Sequence, residues 1–299
     1  MTELTTCVCC ESEELTTIVS LGKQPQMNTV EDHAQSMNLP VTFLMSCDVC
    51  DHVQIDRPAD CCSHTDELSE SVDPGATLLA GTADGPMSVT VDLLLDVVYG
   101  NRWWRICRDR VSYFSPCSLD ALCQRVGVHV TSWEIAEDGH SANMEFTAGA
   151  GVNCAEFEAA KAIAPPGSAL TLFGPAVSEM GLLAEAVRTS LKSQIEGQYV
   201  VVGYGMSQSC TTMLNFSDKI PLQAMVDDDE AKQGKVTPVR HLPISSLANM
   251  AQYEGPIAWV VLAWDHRDAI VQKIKDARPD SQDLLIELVP LQKIGSLWA

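Results

Sequence analysis

The chain has 299 residues, enough for two or three domains with their own cores, and 46% of them are hydrophobic, which excludes a disordered chain. Forty Asp and Glu against nineteen Lys and Arg leave a formal charge of -21, which argues against non-specific nucleic-acid or anionic-membrane binding. No apolar run approaches the roughly 18 residues of a membrane span, and "MTELTTCVCC" lacks the basic start and apolar core of a signal peptide, so a cytoplasmic location is expected.

The first element in chain order is a pair of cysteine knuckles. Cys7 and Cys10 form one C-x-x-C pair, and Cys47 and Cys50 form a second in "MSCDVCDHVQI". In a reducing cytosol the 12 cysteines are more often metal ligands, core residues or catalysts than disulfides. Two knuckles can wrap a tetrahedral zinc ion, each turn offering two thiolates at about 2.3 Å. A segment of roughly 50 residues buries too little core to stand without a metal. Four cysteine ligands close such a site, so the zinc expected on Cys7, Cys10, Cys47 and Cys50 is structural. The alternative is a set of buried free thiols. Cys9 is the spare thiol, packed or exchanging with a neighbouring ligand. Cys61 and Cys62, with His64 nearby, read as a reactive or packed pair or as a second metal site.

"SLGKQPQMNTV" (20–30) between the knuckles, followed by "CDVCDHVQI", resembles the zinc-binding domain of the sugar C-methyltransferases. That resemblance implies enzymes that methylate a carbon of a nucleotide-linked keto-sugar with S-adenosylmethionine. Next along the chain, "ATLLAGTADG" (76–85) reads as a short apolar strand followed by Gly81 and Gly85 and resembles the family's cofactor loop. The same residues align equally with a later proline-glycine-then-strand element, through Pro74-Gly75 and Thr77–Leu79. In either alignment only residues 86–91 precede "DLLLDVVYG" (92–100), too few for a second strand carrying the ribose-binding carboxylate. Most of the cofactor-binding domain is therefore absent, and no S-adenosylmethionine is expected.

"NRWWRICRDRVSYFS" (101–115) concentrates four arginines in an acidic chain. In the family, the corresponding segment ends tyrosine-histidine-glutamate-histidine before tyrosine-phenylalanine-serine, and its histidines and tyrosine are the expected acid–base residues. Here those positions read Cys107, Arg108, Asp109 and Arg110, with Tyr113 retained in the flank. Arginine stays protonated and cannot act as a base near neutrality. The arginines are candidates to clamp an anion bidentately or, alternatively, to pair with carboxylates. Cys107 is either a thiol activated by its arginine neighbours or a packed one. Trp103 and Trp104 are core or pocket wall. "VSYFSPCSLDALCQRVGVHVTSWEI" (111–135) then reads as a turn, a helix and a strand.

"GQYVVVGYGMSQSC" (197–210) is a valine-rich strand entering Gly203-Tyr204-Gly205, a dinucleotide-domain entry without the third glycine, since position 208 is Gln208. "IPLQAMVDDDEAKQG" reads as a strand ending in acidic residues, "PIAWVVLAWDHRDAIVQKI" as a strand and a helix, and "DLLIELVP" as a late strand. This alternation predicts a parallel sheet covered on both faces. Segments 203–215, 226–244 and 260–270 resemble the family's C-terminal domain, which helps to hold the sugar-nucleotide. Ser209 and Cys210 replace its usual lysine-glycine, and Val239 stands where a glycine is usual. The resemblance makes Tyr204, Ser207, Ser209, Thr212, Asn215, Lys232, Arg240 and His241, together with Trp104, candidates for lining a substrate pocket. Loop solvation and helix capping are the alternative for each.

The expected fold is α/β: a zinc-binding domain over 1–56, a truncated methyltransferase-like region over 57–150 and a Rossmann-like domain over 151–299. Three functions are open. In the first, the scaffold has lost S-adenosylmethionine-dependent methylation and serves as a cofactor-independent cyclase, cycloaddition, isomerase or lyase-type enzyme on a polyketide or sugar intermediate, its small-molecule substrate anionic. The second is a non-catalytic protein that binds a nucleotide sugar or assists a partner enzyme. The third is a residual methyltransferase binding its cofactor at Gly81–Gly85. No nucleic-acid or membrane partner is expected.

Overall fold

The computed structural model describes residues 3–26, 29–32, 39–60, 67–94, 97, 105–137, 141–163, 171, 173, 185, 189, 198–207, 210–211, 214, 220–287 and 293–296. The chain divides into two compact units, Met1–Gly22 with Pro40–Ser178 and Lys23–Leu39 with Glu179–Ala299. Both are mixed α/β. Among the described residues, no helix is long and apolar enough to cross a membrane.

In the first unit, strands β1 (Leu15–Lys23), β2 (Val41–Cys47), β3 (Val53–Ile55) and β5 (Ser112–Tyr113) form a four-stranded sheet in that order. Each cysteine knuckle is a tight turn closed by one residue in the left-handed region. Glu11 (φ 64) donates its N–H to Cys7 O, and Asp51 (φ 61) donates to Cys47 O, at 2.8 and 3.0 Å. The two turns therefore repeat one geometry at opposite ends of the metal-ligand spacing.

Residues Pro74–Gly81 are helix α1, which corrects the strand expected over 76–80 in both alignments. The reason is local. Asp73 caps the helix by accepting from Ala76 N at 3.0 Å, and Pro74 occupies its first turn, where a missing N–H costs nothing. Leu78 is fully buried beneath it. Gly81 is thus the last residue of a helix and Gly85 follows it, and no strand-to-glycine cofactor turn forms here.

Strand β4 (Met87–Asp92) pairs antiparallel with β7 (Ser141–Ala148), which pairs antiparallel with β6 (Val128–Ile135), giving a three-stranded sheet in the order β4-β7-β6. Between β5 and β6 lies helix α2 (Pro116–Val126), so the turn, helix and strand expected over 111–135 are present. Ser115 and Ser118 form a reciprocal capping box at the start of α2. Gly127 ends it at φ +71, the left-handed position that favours glycine. Helix α3 (Ala155–Ile163) completes the unit. Leu78, Val91, Phe114, Leu119, Leu122, Val130, Phe146 and Phe157 form one core with the knuckle residues Cys7, Cys9, Cys47 and Cys50.

The second unit carries the six strands β8 (Val200–Tyr204), β9 (Ala224–Val226), β10 (Ile244–Ser245), β11 (Ile257–Val261), β12 (Leu284–Glu287) and β13 (Lys293–Ser296), in the spatial order β10-β9-β8-β11-β12-β13. All pairings are parallel except β12 with β13. Counted from β8 this is the order 3-2-1-4-5-6 of the dinucleotide-binding sheet. Helices α4 (Leu247–Ala251) and α5 (Arg267–Ala277) pack Leu247, Met250, Ile270 and Ile274 against Val202, Tyr204, Trp259 and Val261. Asp283 holds the far end of β11. Its buried carboxylate accepts from Ile257 N, Trp259 Nε1 and the Arg278 guanidinium at 2.7–3.0 Å.

The Asp283 carboxylate satisfies four buried donors at once. Asp283→Ala, measured by denaturant unfolding, is expected to lower stability by about 3–5 kcal/mol, because the Arg278 cation is left buried and unmatched.

Candidate functional site

The sulfurs of Cys7, Cys10, Cys47 and Cys50 all lie within 4.8 Å of one another. Cys7 and Cys50 are 3.6 Å apart, and Cys10 and Cys47 are 3.5 Å apart. A disulfide would bring sulfurs to about 2.05 Å, whereas a tetrahedral site with metal–sulfur bonds of about 2.3 Å places them about 3.8 Å apart. The geometry is that of metal ligands, and the cluster could hold an ion such as zinc.

Gln54 braces the first knuckle, accepting from Val8 N and donating to Thr6 O, both at 3.0 Å. Cys9, the spare, is fully buried, and burial pushes its thiol up. Hydrogen bonds from Cys50 and Cys9 hold Cys7 far below the usual thiol range, while the Cys7 interaction and burial drive Cys50 up. Burial also raises Cys47 to about 11. Four thiols so close stabilise one thiolate among them by shared protons. Four thiolates require a dication in their place. His52 lies against this site, fully buried, 3.2 Å from Ser112 Oγ and packed on Phe114, and its burial lowers the imidazole to about 4.

Residues 106–109, within the stretch where the resemblance expects acid–base residues, are buried. Arg108 is buried and donates to the carbonyls of Arg57 and Pro58 at 3.1 and 3.3 Å. Asp92, the last residue of β4, accepts from Arg105 at 2.8 Å on one oxygen and from Arg110 on the other. Burial opposes the Arg110 cation, and Asp92, Tyr113 and Cys107 together more than offset it. Tyr113 is buried in β5, and its hydroxyl accepts from Cys107 N at 3.0 Å and donates to Cys107 O at 3.4 Å. Burial, then the nearby Cys107 charge, pushes this phenol well up. Cys107 and Asp109 are likewise buried. Trp104 lies outside the described residues, as do Cys61, Cys62 and His64.

A second cluster sits at the carboxyl ends of β8, β9 and β11. Tyr204, Met206, Ser207, Asp227, Asp228, Lys232, His266 and Lys273 line a cleft of about 340 Å³ there. Gly205 makes the turn out of β8 at φ +94, where a Cβ would come within 2.5 Å of Ala263 Cβ. The turn is fastened to β9 by Asp227, which accepts from Met206 N at 2.6 Å and from Asp229 N at 2.9 Å. Lys232 donates to Met206 O at 3.0 Å. Asp228 accepts from Tyr204 Oη and from Lys273 Nζ, each at 2.6 Å. Partial burial raises its acidity constant's midpoint, but those two donors outweigh it and hold the carboxyl below its ordinary range. Burial and the Asp228 partner push the Tyr204 phenol up.

The structure thus brings together Tyr204, Ser207 and Lys232, which were predicted from the sequence. It adds Asp227, Asp228 and Lys273, whose signals were the acidic end of the β9 strand and, for Lys273, nothing local. His241 lies elsewhere, in the loop before β10, with Nδ1 3.3 Å from Glu31. Arg240 donates to Ile220 O at 2.8 Å. Asn215, Ser209 and Thr212 fall outside the described residues.

Residues 171–290 match the family model described as the C-methyltransferase C-terminal domain. Across 226 residues the chain is 26% identical to the C-methyltransferase NovU of Streptomyces niveus, covering 72% of this chain and 52% of that protein. The chain is C-methyltransferase-like. It spans about half the length of the curated relative it matches.

Two outcomes follow for this C-methyltransferase-like chain. Purified protein is expected to carry about one zinc per chain by metal analysis, and Cys47→Ser to lose both the metal and the first unit's cooperative unfolding. Asp92→Ala, read by thermal or denaturant unfolding, is expected to cost about 2–3 kcal/mol, because two arginines lose their shared carboxylate.

Proposed function

We propose that this chain holds a nucleotide-linked substrate in its C-terminal unit and has lost methyl transfer, with zinc as a structural ion in the four-cysteine site. The observation that carries the reading is the position of the cleft. In doubly wound sheets, ligands bind outside the carboxyl ends of the strands where the strand order reverses, here between β8 and β11. Asp228, at the end of the neighbouring strand, is the group that accepts sugar hydroxyls in such sheets. Lys232 and Lys273 give the cleft two cations in an acidic protein, suited to the phosphates of a nucleotide.

The loss of methyl transfer rests on two features of the first unit. S-adenosylmethionine would supply the methyl group, but residues 76–81, which resemble its glycine loop, lie in the capped helix α1 rather than in a strand-to-glycine turn, which does not fit that cofactor. The positions of the family's proton-transfer groups hold Arg108 and Arg110, which cannot take up a proton at neutral pH. Arg108 donates hydrogen bonds to the chain's own backbone, and the Tyr113 hydroxyl is bonded to the main chain of Cys107. This favours a ligand-holding protein over a cyclase, isomerase or lyase built on Cys107, Arg108, Asp109, Arg110 and Tyr113. The substrate class is a nucleoside diphosphate sugar or a related natural-product intermediate.

Calorimetric titration of the full chain tests both parts. A thymidine or uridine diphosphate sugar is expected to bind and raise the unfolding temperature. Asp228→Asn should weaken that binding about tenfold, and S-adenosylmethionine should produce no heat or stabilisation. Binding of S-adenosylmethionine with no response to nucleotide sugars would reverse the assignment.

A further inference from the structure

Glu31 and His241 form a second, separate group of chemically capable residues in the C-terminal unit. Glu31 is one-tenth exposed or less, and among the described residues neither of its carboxylate oxygens completes a hydrogen bond. A buried carboxylate without donors is costly unless a proton or a cation is shared with it. The group that approaches it is His241, whose Nδ1 lies 3.3 Å from Glu31 Oε2 and is itself buried without a hydrogen bond. The rest of the imidazole is partly exposed, the side chain as a whole being 29% accessible.

The backbone that delivers this ring is strained. Val239 sits at φ +68 and His241 at φ +52, and a β-branched residue in the left-handed region is a true outlier. The loop tolerates this because it is pinned on all sides. Thr237 and Leu242 exchange hydrogen bonds, His241 N donates to Thr237 O at 2.9 Å, and Val236 and Glu31 bond each other's main chain at 2.9 and 3.0 Å. Non-glycine strain that surrounding contacts over-determine is most often found where a side chain must be aimed. The other charged groups beside the pair are Arg240, which donates to Ile220 O, and Lys235, which approaches Asp32 at 3.9 Å.

We propose that Glu31 and His241 are an acid–base dyad, in which Glu31 accepts a hydrogen bond from Nδ1–H and thereby presents His241 Nε2 as a proton acceptor toward a ligand hydroxyl or ammonium group. A carboxylate on one ring nitrogen selects the tautomer that leaves the other nitrogen with its lone pair free. Such a site takes a ligand that donates a hydrogen bond. Glu31 acts through His241 and is a positioning residue; His241 is the group that meets the ligand. The inference does not depend on nucleotide binding in the cleft beside Asp228.

Nitrogen-15 NMR of the full chain labelled at histidine, with His241 identified by its loss in His241→Gln, reads the tautomer directly. The neutral ring is expected to carry its proton on Nδ1, and Glu31→Met to shift the proton to Nε2. Glu31→Gln, which keeps an oxygen acceptor and the fold, is expected to retain the Nδ1 proton at least in part. Diethylpyrocarbonate with mass-spectrometric mapping should modify His241 in the wild-type chain, with loss of that preference in Glu31→Met. A wild-type ring protonated on Nε2, or a His241 that resists the reagent, would overturn the dyad even if Glu31→Met failed to fold.

Discussion

Four thiols drawn within one ion's reach are the constraint on which the first unit depends. They join residues 7–10 to residues 47–50, and the unit's core forms around them: Cys7, Cys9, Cys47 and Cys50 pack with Leu78, Phe114 and Leu119. Without a cation the same sulfurs can share protons but cannot all be anions, because each thiolate raises the cost of the next. The knuckle backbone holds each pair of cysteines together by local hydrogen bonds. Glu11 and Asp51 accept the left-handed conformation, and the N–H groups after each second cysteine point back at the first.

The charge balance of the chain adds a second constraint. An acidic protein with few cations uses its buried arginines as structural links, since a guanidinium taken from water must find acceptors. Arg278 finds Asp283 and a row of main-chain carbonyls. Arg105 and Arg110 share Asp92, and Arg108 reaches Arg57 O and Pro58 O. The basic stretch around residue 108 is thus placed by internal pairing. In the cleft of the C-terminal unit the pairing is different: Lys273 and Asp228 are both about half exposed, so their charges remain accessible to a polar ligand.

Helix α1 shows where reading along the chain fails. "ATLLAG" is short, apolar and flanked by glycine, a pattern that fits a buried strand or a buried helix turn equally well. What decides it is Asp73, whose carboxylate caps the first turn, and the room beneath Leu78 for a helix to bury. By contrast, the capping serines, the proline at the start of α2 and Gly127 at its end lie in the sequence as a complete helix signal, and the helix forms there. The valine-rich strands of the C-terminal sheet were legible for a similar reason, being buried on both faces and separated by turn residues.

The sequence by itself determined which four cysteines come together, because C-x-x-C spacing is a pattern that local turns can satisfy. It also determined the strand–helix alternation of the second unit, because hydrophobic period and punctuation are local properties. The tertiary structure alone decided which polar side chains meet. Asp228 and Lys273 are 45 residues apart and share one ion pair because β9 ends, and α5 follows β11, at the carboxyl edge of the same sheet. Glu31 and His241 lie at opposite ends of the chain and meet because a bridge between Glu31 and Val236 sets one beside the other. Contacts of that kind depend on strand order and loop closure, and neither is written in the residues on either side of the contact.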